Sequence, residues 1–567
     1  MKKSMTGGRA VVESLRAEDV RCVFGLIGSA TMEVFDALYD ANDVRFIGIR
    51  DERTGTHMAD AYARVSGKAG VVLAGQNGPG VTNLVTGLAQ ASAAFSPVIA
   101  IAGMLSSAHQ YRGAFQEVDQ QALATPITKK TWTVNRTERI PEMFREAFRT
   151  AMTPRMGPVQ LNLPRDVLSE SAEFEAAGNP AAYRVQVTPQ GDADQIAEAA
   201  NLLANAERPL IVAGAGVKWS RGHKAVLALG ELLNAPVAAA AGHSDAIPNN
   251  HPLFAGGVGP RGNPVASDLA READVILALG TRLGFNSTFY SYDNLNRNAK
   301  IIQVEIEPTA IGRHFPVSIG IWGDAAKVAV QLTREIQGMK RNAKAGQWTT
   351  NFQSKRKKML EERDEKGSAM TSPIQPQTLF KVLRGVLPAN SIVTIDAGTL
   401  CLQATDALYH LEPPSFLSPL DFGLVGFSYA AGLGAKAAAP DRPVVSLMGD
   451  GGFGMTMSEL STAVSCGLNT VTIVMNNHCW GAEKAYQRDF FDGRYIGADV
   501  KNPPYDKVAE LYGAKGYRVE RPQDIGPTVE AALQCGKPAV VDIQMDPNAL
   551  YSFRRDSFAH RSGAKSG

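Results

Sequence analysis

The 567-residue sequence has few cysteines, no long apolar run and no excess of one charge. Its five cysteines, Cys22, Cys401, Cys466, Cys479 and Cys535, are odd in number, scattered and never spaced as CxxC. That pattern favours reduced thiols in a cytoplasm over a disulfide framework. No apolar run reaches the roughly 18 to 20 residues that a membrane span needs, and no secretory apolar core follows Lys2-Lys3. A net charge of +2 argues for neither a nucleic acid nor an anionic membrane partner. The chain is 44% apolar and 20% charged, as expected of a soluble globular protein with ample core. Its length suggests about three to four domains.

Residues 444–477, VVSLMGDGGFGMTMSELSTAVSCGLNTVTIVMNN, organise the rest. Val444 to Met448 is an apolar, β-branched run of strand length, and glycines follow at once. Met455 to Cys466 has helical spacing. Val471 to Met475 predicts a second buried strand, ending on Asn476-Asn477. Two parallel strands joined by a helix bring Asp450 and Asn477 to one carboxyl edge of a sheet, where open α/β sheets bind ligands. An Asp oxygen and an Asn carbonyl are hard ligands that suit Mg²⁺. Gly449, Gly451 and Gly452 leave backbone N–H groups for a diphosphate at a helix N-terminus. A lone GDG reads as an ordinary strand–turn–helix. GDG followed at this distance by NN, each after a strand, resembles the diphosphate-binding signature of thiamine diphosphate enzymes.

Residues 10–170 alternate helix and strand, which predicts a parallel, doubly wound sheet. Strands are expected at Cys22–Ile27, ending at Gly28, and at Arg45–Ile49, Gly70–Ala74 and Val98–Ala102. Helices are expected at Ala10–Glu18, Thr31–Tyr39, Thr56–Val65 and Val81–Ala93. Glu52, just beyond a strand, could by itself be a charge at a helix N-terminus. The whole segment RDERTGTHMADAYARVSGKAGVVLAGQNGPGVTNLVTGLAQA resembles the pyrimidine-binding domain of the acetolactate synthase-like family of thiamine diphosphate enzymes. The resemblance implies that Glu52 hydrogen-bonds the aminopyrimidine ring, general acid–base positioning worth roughly 10²- to 10⁴-fold. It implies that Phe115 and Gln116, in a stretch similar to the family's AFQEVD, line the pocket beside the thiazolium; otherwise they belong to a plain loop. Arg165, in LPRDV, stands where relatives carry a cation near the substrate, or is a surface cation at a domain junction.

The polar stretch Ser169–Gln190 reads as a linker. Strand-then-glycine patterns from Arg208 to Gly216, with strands at Asp274–Leu279 and Lys300–Ile306, resemble the central domain of the same superfamily, which holds FAD in acetolactate synthases. FAD is left open here but not favoured. Gly257, Gly259 and Gly262 form a GxGxxG, but no apolar strand is evident before it and Pro260 interrupts it, so it fails as a dinucleotide fingerprint. Lys340–Lys366 is a charged, solvated helix. Asp396-Ala397-Gly398 matches the family's first diphosphate-side turn. Phe422–Phe427 resembles the segment that wedges the cofactor into its bent shape, with Leu424 and Val425 both candidates for the wedge. The resemblance further implies that Cys479 offers the metal its backbone carbonyl and that Trp480 borders the cofactor.

The fold expected is α/β, with three doubly wound parallel-sheet domains: pyrimidine-binding over 1–175, central over 190–345 and diphosphate-binding over 370–555. Gly25–Ala30, Gly75–Gly80, Asn476–Lys484 and the tail SFRRD resemble sulfoacetaldehyde acetyltransferases more than acetolactate synthases. That implies desulfonative acetyl transfer from sulfoacetaldehyde to phosphate, with a 2-oxo-acid decarboxylase or carboligase as the alternative. Both anions call for cations, and Arg165, Lys484, Arg554 and Arg555 are the candidates; Arg554-Arg555 could also be a solvated tail. Relatives pair Glu52 of one chain with the GDG domain of another, so a homodimer or homotetramer is implied.

Overall fold

The computed structural model describes residues 3–175, 178–260, 262–553, 558 and 560. Three six-stranded sheets, their strand pairings parallel among the described residues, carry the chain, flanked by helices. The first sheet runs, in spatial order, Arg45–Gly48, Cys22–Leu26, Gly70–Ala74, Val98–Met104, Val159–Pro164 and Lys130–Thr133. The central sheet runs Phe254–Gly257, Val237–Ala239, Pro209–Ala213, Val275–Leu279, Lys300–Glu305 and Ile319–Trp322. The third runs Phe416–Leu417, Ile392–Ile395, Val444–Gly449, Val471–Asn476, Ala539–Gln544 and Lys515–Val519. Strands such as Gly70–Ala74, Pro209–Ala213 and Val471–Asn476 are buried at every residue. Layers of helix on both faces explain why they read as unbroken apolar runs rather than alternating ones.

In each sheet the chain enters one or two strands from an edge, steps out to that edge, then returns across its starting strand. The resulting switch points lie between Cys22–Leu26 and Gly70–Ala74, between Pro209–Ala213 and Val275–Leu279, and between Ile392–Ile395 and Val444–Gly449. Crevices at such points are where open α/β sheets hold ligands.

The chain divides into two compact units. One comprises Met1–Val187, Asp421–Val444 and Thr456–Thr470; the other comprises Thr188–Leu420, Val445–Met455 and Val471–Gly567. In the first unit, helix Ser428–Ala438 lies against helix Glu52–Ser66 so closely that a Cβ on Gly434 would sit 2.1 Å from the Met58 carbonyl oxygen.

Several local expectations need correction. The helix expected at Thr56 begins at Glu52, because Asp51 caps it by accepting the Arg53 N–H at 2.7 Å. Part of the expected linker is a strand: Ser171–Phe174 pairs antiparallel with Lys3–Thr6. The helix expected over Met455–Cys466 is a 3₁₀ turn at Met457–Glu459 followed by a short helix at Leu460–Ser465, and a further short helix, Asp450–Gly454, precedes them. A strand, Phe254–Gly257, does precede the GxGxxG, and helix Pro264–Glu272 follows; the strand escapes notice because half of it is glycine. Those glycines serve packing. A Cβ on Gly259 would meet the Ser287 carbonyl oxygen at 2.3 Å, and one on Gly262 would meet that of Gly257 at 1.9 Å.

Candidate active site

In the first unit, Glu52 is the first residue of its helix and only 3% exposed. Asn83, on the next helix, donates its amide N–H to Glu52 Oε2 at 3.1 Å. Gly80, at the start of that helix, leaves room for the carboxyl: a Cβ there would stand 3.0 Å from Oε1. Burial pushes the Glu52 carboxyl above the ordinary Glu range, opposed by the Asn83 bond. A carboxyl so placed keeps its proton closer to neutral pH, as suits exchange with a weakly basic ring nitrogen.

Three loops form one wall at this sheet edge. Gly28, extended in backbone, lies against Gly75, where a Cβ would fall 2.4 Å from the carbonyl carbon. Gln76 Nε2 donates to Gln116 Oε1 at 2.5 Å, and Asn77 Nδ2 donates to the Gln116 carbonyl at 3.0 Å. These bonds hold Gln116 in the left-handed region, at φ 62°. The neighbouring Phe115 ring is 83% exposed, a large apolar surface that packing within this unit does not use. Arg165 is exposed and opens the short helix after strand Val159–Pro164, at the same carboxyl edge. Leu424 and Val425 are both half-buried, in a loop bounded by Gly423 and Gly426, each at φ 85°.

In the second unit, strands Val444–Gly449 and Val471–Asn476 pair in parallel with Gly449 opposite Met475, so both motifs leave the sheet together. Asp450 is fully buried. Its Oδ2 accepts from Asn502 Nδ2 at 2.5 Å, and its carbonyl accepts from the Tyr505 hydroxyl at 2.9 Å. Burial raises the affinity of its carboxyl for a proton; the Asn502 bond, the Asn477 backbone N–H and the charge of His478 oppose that. The two strand ends thus bring Asp450 and Asn477 to one carboxyl edge of the sheet. Trp480 lies over Gly451, where a Cβ would come within 2.6 Å of the indole. Gly398, at φ 139°, caps helix Thr399–Ala407, and Asp396 before it is fully buried. A Cβ on Gly398 or Gly449 would meet no described atom within 4 Å.

These features fit a diphosphate and a divalent ion. Open space at two glycines beside helix N-termini suits phosphate oxygens. A buried carboxyl, with Asn477 just beyond the end of the neighbouring strand, offers hard oxygen donors. Among the described residues no cluster of three or more His, Cys, Asp or Glu side chains could hold a metal, so an ion here would rely on Asp450, amide oxygen and backbone carbonyl. Cys479 is buried, burial pushes its thiol up to about 11, and its backbone bridges to Asp499, all against a thiolate role.

Lys484 forms an ion pair with Asp499, Nζ to Oδ1 2.6 Å, so its charge is already balanced. Arg554 and Arg555 lie outside the described residues. Sequence reasoning missed Asn83, Asn502 and Tyr505. Asn and Tyr carry no periodic signal, and each acts through a partner distant in the chain.

Comparison with known proteins agrees with this geometry. Residues 5–123 match the N-terminal TPP binding domain of thiamine pyrophosphate enzymes, 196–332 the central domain and 396–543 the C-terminal TPP binding domain. The sulfoacetaldehyde acetyltransferase of Alcaligenes xylosoxydans xylosoxydans is 35% identical over 98% of this chain and 95% of its own. That of Castellaniella defragrans is 34% identical over 98% and 96%. A probable acetolactate synthase large subunit of Methanococcus aeolicus is 34% identical over 97% and 93%. The chain belongs to the thiamine pyrophosphate enzymes, in their acetolactate synthase-like family.

Proposed function

We propose that this enzyme is a desulfonating acetyltransferase, converting sulfoacetaldehyde and phosphate to acetyl phosphate and sulfite. The carbon–sulfur bond breaks with its electron pair leaving on sulfite, and a phosphate oxygen bonds the former aldehyde carbon. The aldehyde hydrogen is balanced by protonation of the methyl carbon, so no external oxidant is needed. The observation that carries this reading is the stretch Asn476–Lys484, similar to sulfoacetaldehyde acetyltransferases and set beside the buried Asp450.

Bound thiamine diphosphate supplies a carbon nucleophile and an electron sink. Glu52, buried under Asn83, holds and exchanges a proton at the aminopyrimidine nitrogen. Asp450, Asn477 and the Cys479 carbonyl bind Mg²⁺, while Gly398, Gly449, Gly451 and Gly452 with Asp396 receive the diphosphate. Gly28, Trp480 and either Leu424 or Val425 hold the rings. Phe115 and Gln116 wall the reacting carbon. Arg165, Arg554 and Arg555 pair with the sulfonate and phosphate, with Lys484 secondary because of Asp499. The domains extend over 1–175, 190–345 and 370–555, and the enzyme works in the cytoplasm as a homodimer or homotetramer.

The equal identity to acetolactate synthase relatives favours one alternative, decarboxylation and carboligation of a 2-oxo acid. One assay separates the two. Purified protein with thiamine diphosphate and Mg²⁺ is offered sulfoacetaldehyde with and without phosphate, or pyruvate alone. Phosphate-dependent sulfite release is expected; CO₂ release from pyruvate without sulfite release would replace the first reading by the second.

A further inference from the structure

Glu459 has no part in the chemistry assigned above, yet it is a carboxyl with no exposed surface. It ends the 3₁₀ turn Met457–Glu459 and belongs to the same compact unit as Glu52. Its Oε1 accepts the Arg50 backbone N–H at 2.9 Å and touches Thr54 Oγ1 at 2.5 Å; its Oε2 touches Thr462 Oγ1 at 2.6 Å. Arg50 and Thr54 each lie two residues from Glu52, one on either side. The Glu459 carboxyl thus grips the chain before and after it.

The proton count is unusual. Thr54 Oγ1 also lies 2.7 Å from the Asp51 carbonyl oxygen, and Thr462 Oγ1 lies 3.0 Å from that of Gly48. A hydroxyl carries one proton and a carbonyl none. With Glu459 ionised, two hydroxyl protons must serve four close oxygen contacts, two of them to carbonyls that can only accept. A proton on Glu459 lets one hydroxyl turn to its carbonyl while the acid donates to that hydroxyl. The Arg50 guanidinium does not alter the count, since its N–H groups go to Ser461 Oγ and the Gly48 and Ile49 carbonyls.

We propose that Glu459 is a positioning residue for Glu52, acting as a neutral acid that fixes the Gly48–Thr54 turn through the Thr54 and Thr462 hydroxyls. Burial raises the Glu459 carboxyl above the ordinary Glu range, against the opposing hydrogen bonds and the charge of Arg50. Tyr429 also faces it, a buried phenol raised by its own burial and by Glu459. The inference rests on the reading of Glu52 as the group facing the aminopyrimidine.

Three measurements test it. Infrared difference spectra of wild type against Glu459→Gln, both without cofactor, should show the C=O stretch of a protonated carboxylic acid in the wild type alone. Glutamine presents one acceptor and one donor edge, as the neutral acid does, so turnover and thiamine diphosphate affinity of that variant should stay within about threefold of wild type. Glu459→Ala should lower turnover about 10²-fold, as expected when a catalytic group shifts by about an ångström. It should also move the limb of the kcat/KM pH profile that Glu52 sets, which a general loss of stability would not do. If the alanine variant does not fold, Glu459→Asp, a methylene too short to reach both threonines, takes its place with the same expectation.

No carboxylic acid band, or a glutamine variant as impaired as alanine, overturns the neutral-acid assignment. Undiminished turnover with an unmoved pH profile in the alanine or aspartate variant overturns the positioning role. Glu52→Gln run in parallel separates failures: full turnover there removes Glu52 from catalysis and the positioning role with it, while the infrared result on the Glu459 proton stands.

Discussion

The central and third sheets of the second unit reverse their strand order in the same way and put glycines at the reversal. In the central sheet these glycines close on one another. A Cβ on Gly214 would lie 2.6 Å from the Gly280 carbonyl oxygen, and one on Gly280, at φ 61°, would lie 2.6 Å from Gly216 Cα. In the third sheet the equivalent turns hold Gly398 and Gly449, with no described atom within 4 Å of an added Cβ. Topology and glycine content are shared; what differs is what the bare backbone approaches. In one crevice backbone meets backbone, and in the other the approach is left to a ligand. A strand followed by a glycine turn is therefore not enough to identify a cofactor crevice, and the acidic residue that follows Gly449 is what separates the two.

The sharpest way to break this comparison is Asp450→Asn. It keeps the shape and an oxygen beside Asn502 but removes the charge. Mg²⁺ and thiamine diphosphate affinity should fall by at least about 10²-fold, since even outer-shell changes at metal sites cost up to that much. Calorimetric titration measures it, and retained affinity would take Asp450 out of the metal site. Next in size is Gly280→Ala. A left-handed backbone carrying a side chain, plus overpacking, should cost about 2 to 4 kcal/mol in denaturant unfolding. Cofactor affinity in the folded fraction should not change. Gly449→Ala should do the reverse: its φ of −76° suits alanine and space is open, so stability should stay within about 0.5 kcal/mol. Cofactor affinity should fall about tenfold as the added methyl enters the phosphate space. Equal behaviour of the two variants would erase the distinction between closed and open crevices.

How far each crevice could be read from the chain depends on whether its signal is local. Val444–Met448 and Val471–Met475 are apolar runs of strand length, and each ends on a residue whose chemistry is plain, so the Asp450–Asn477 edge was legible. Glu52 reads as loop in sequence rather than as the first residue of its helix, because nothing marks Asp51 as the cap until its bond to the Arg53 N–H is seen. The strand Phe254–Gly257 was hidden by its own glycines, which pack against Asn263 and Gly262 instead of marking a break. Asn83, Asn502 and Glu459 could not be found this way. Asn83 is an unremarkable polar residue within a helix until the Gly80 gap admits the Glu52 carboxyl, and Glu459 meets Thr54 across 405 residues of chain. Lys484 shows the converse: a cation beside a motif reads as unpaired in sequence until Asp499 is found on it.

The smallest expected effect concerns protonation, and it tests whether the open crevice is strained when nothing fills it. Burial raises the Asp450 carboxyl, so between its unfolded and folded pKa the native state binds more protons than the unfolded one. Stability then falls as pH rises through that window, since the slope follows the protons bound by the unfolded state minus those bound by the native state. The contribution is fully present below the ordinary carboxylate value and lost above the raised one. Without metal or cofactor, Asp450→Asn carries no such loss. It should melt above wild type at pH above the raised carboxyl value, with the gap closing as pH falls below the ordinary carboxylate range, where both side chains are neutral. Mg²⁺ and thiamine diphosphate should invert the order, because ligand binding stabilises only the form that binds it. A variant that melts below wild type at every pH without ligands would mean that the chain itself, through Asn502 and the Asn477 N–H, fully compensates the buried charge. The crevice would then be no more primed for a cation than its closed counterpart in the central sheet.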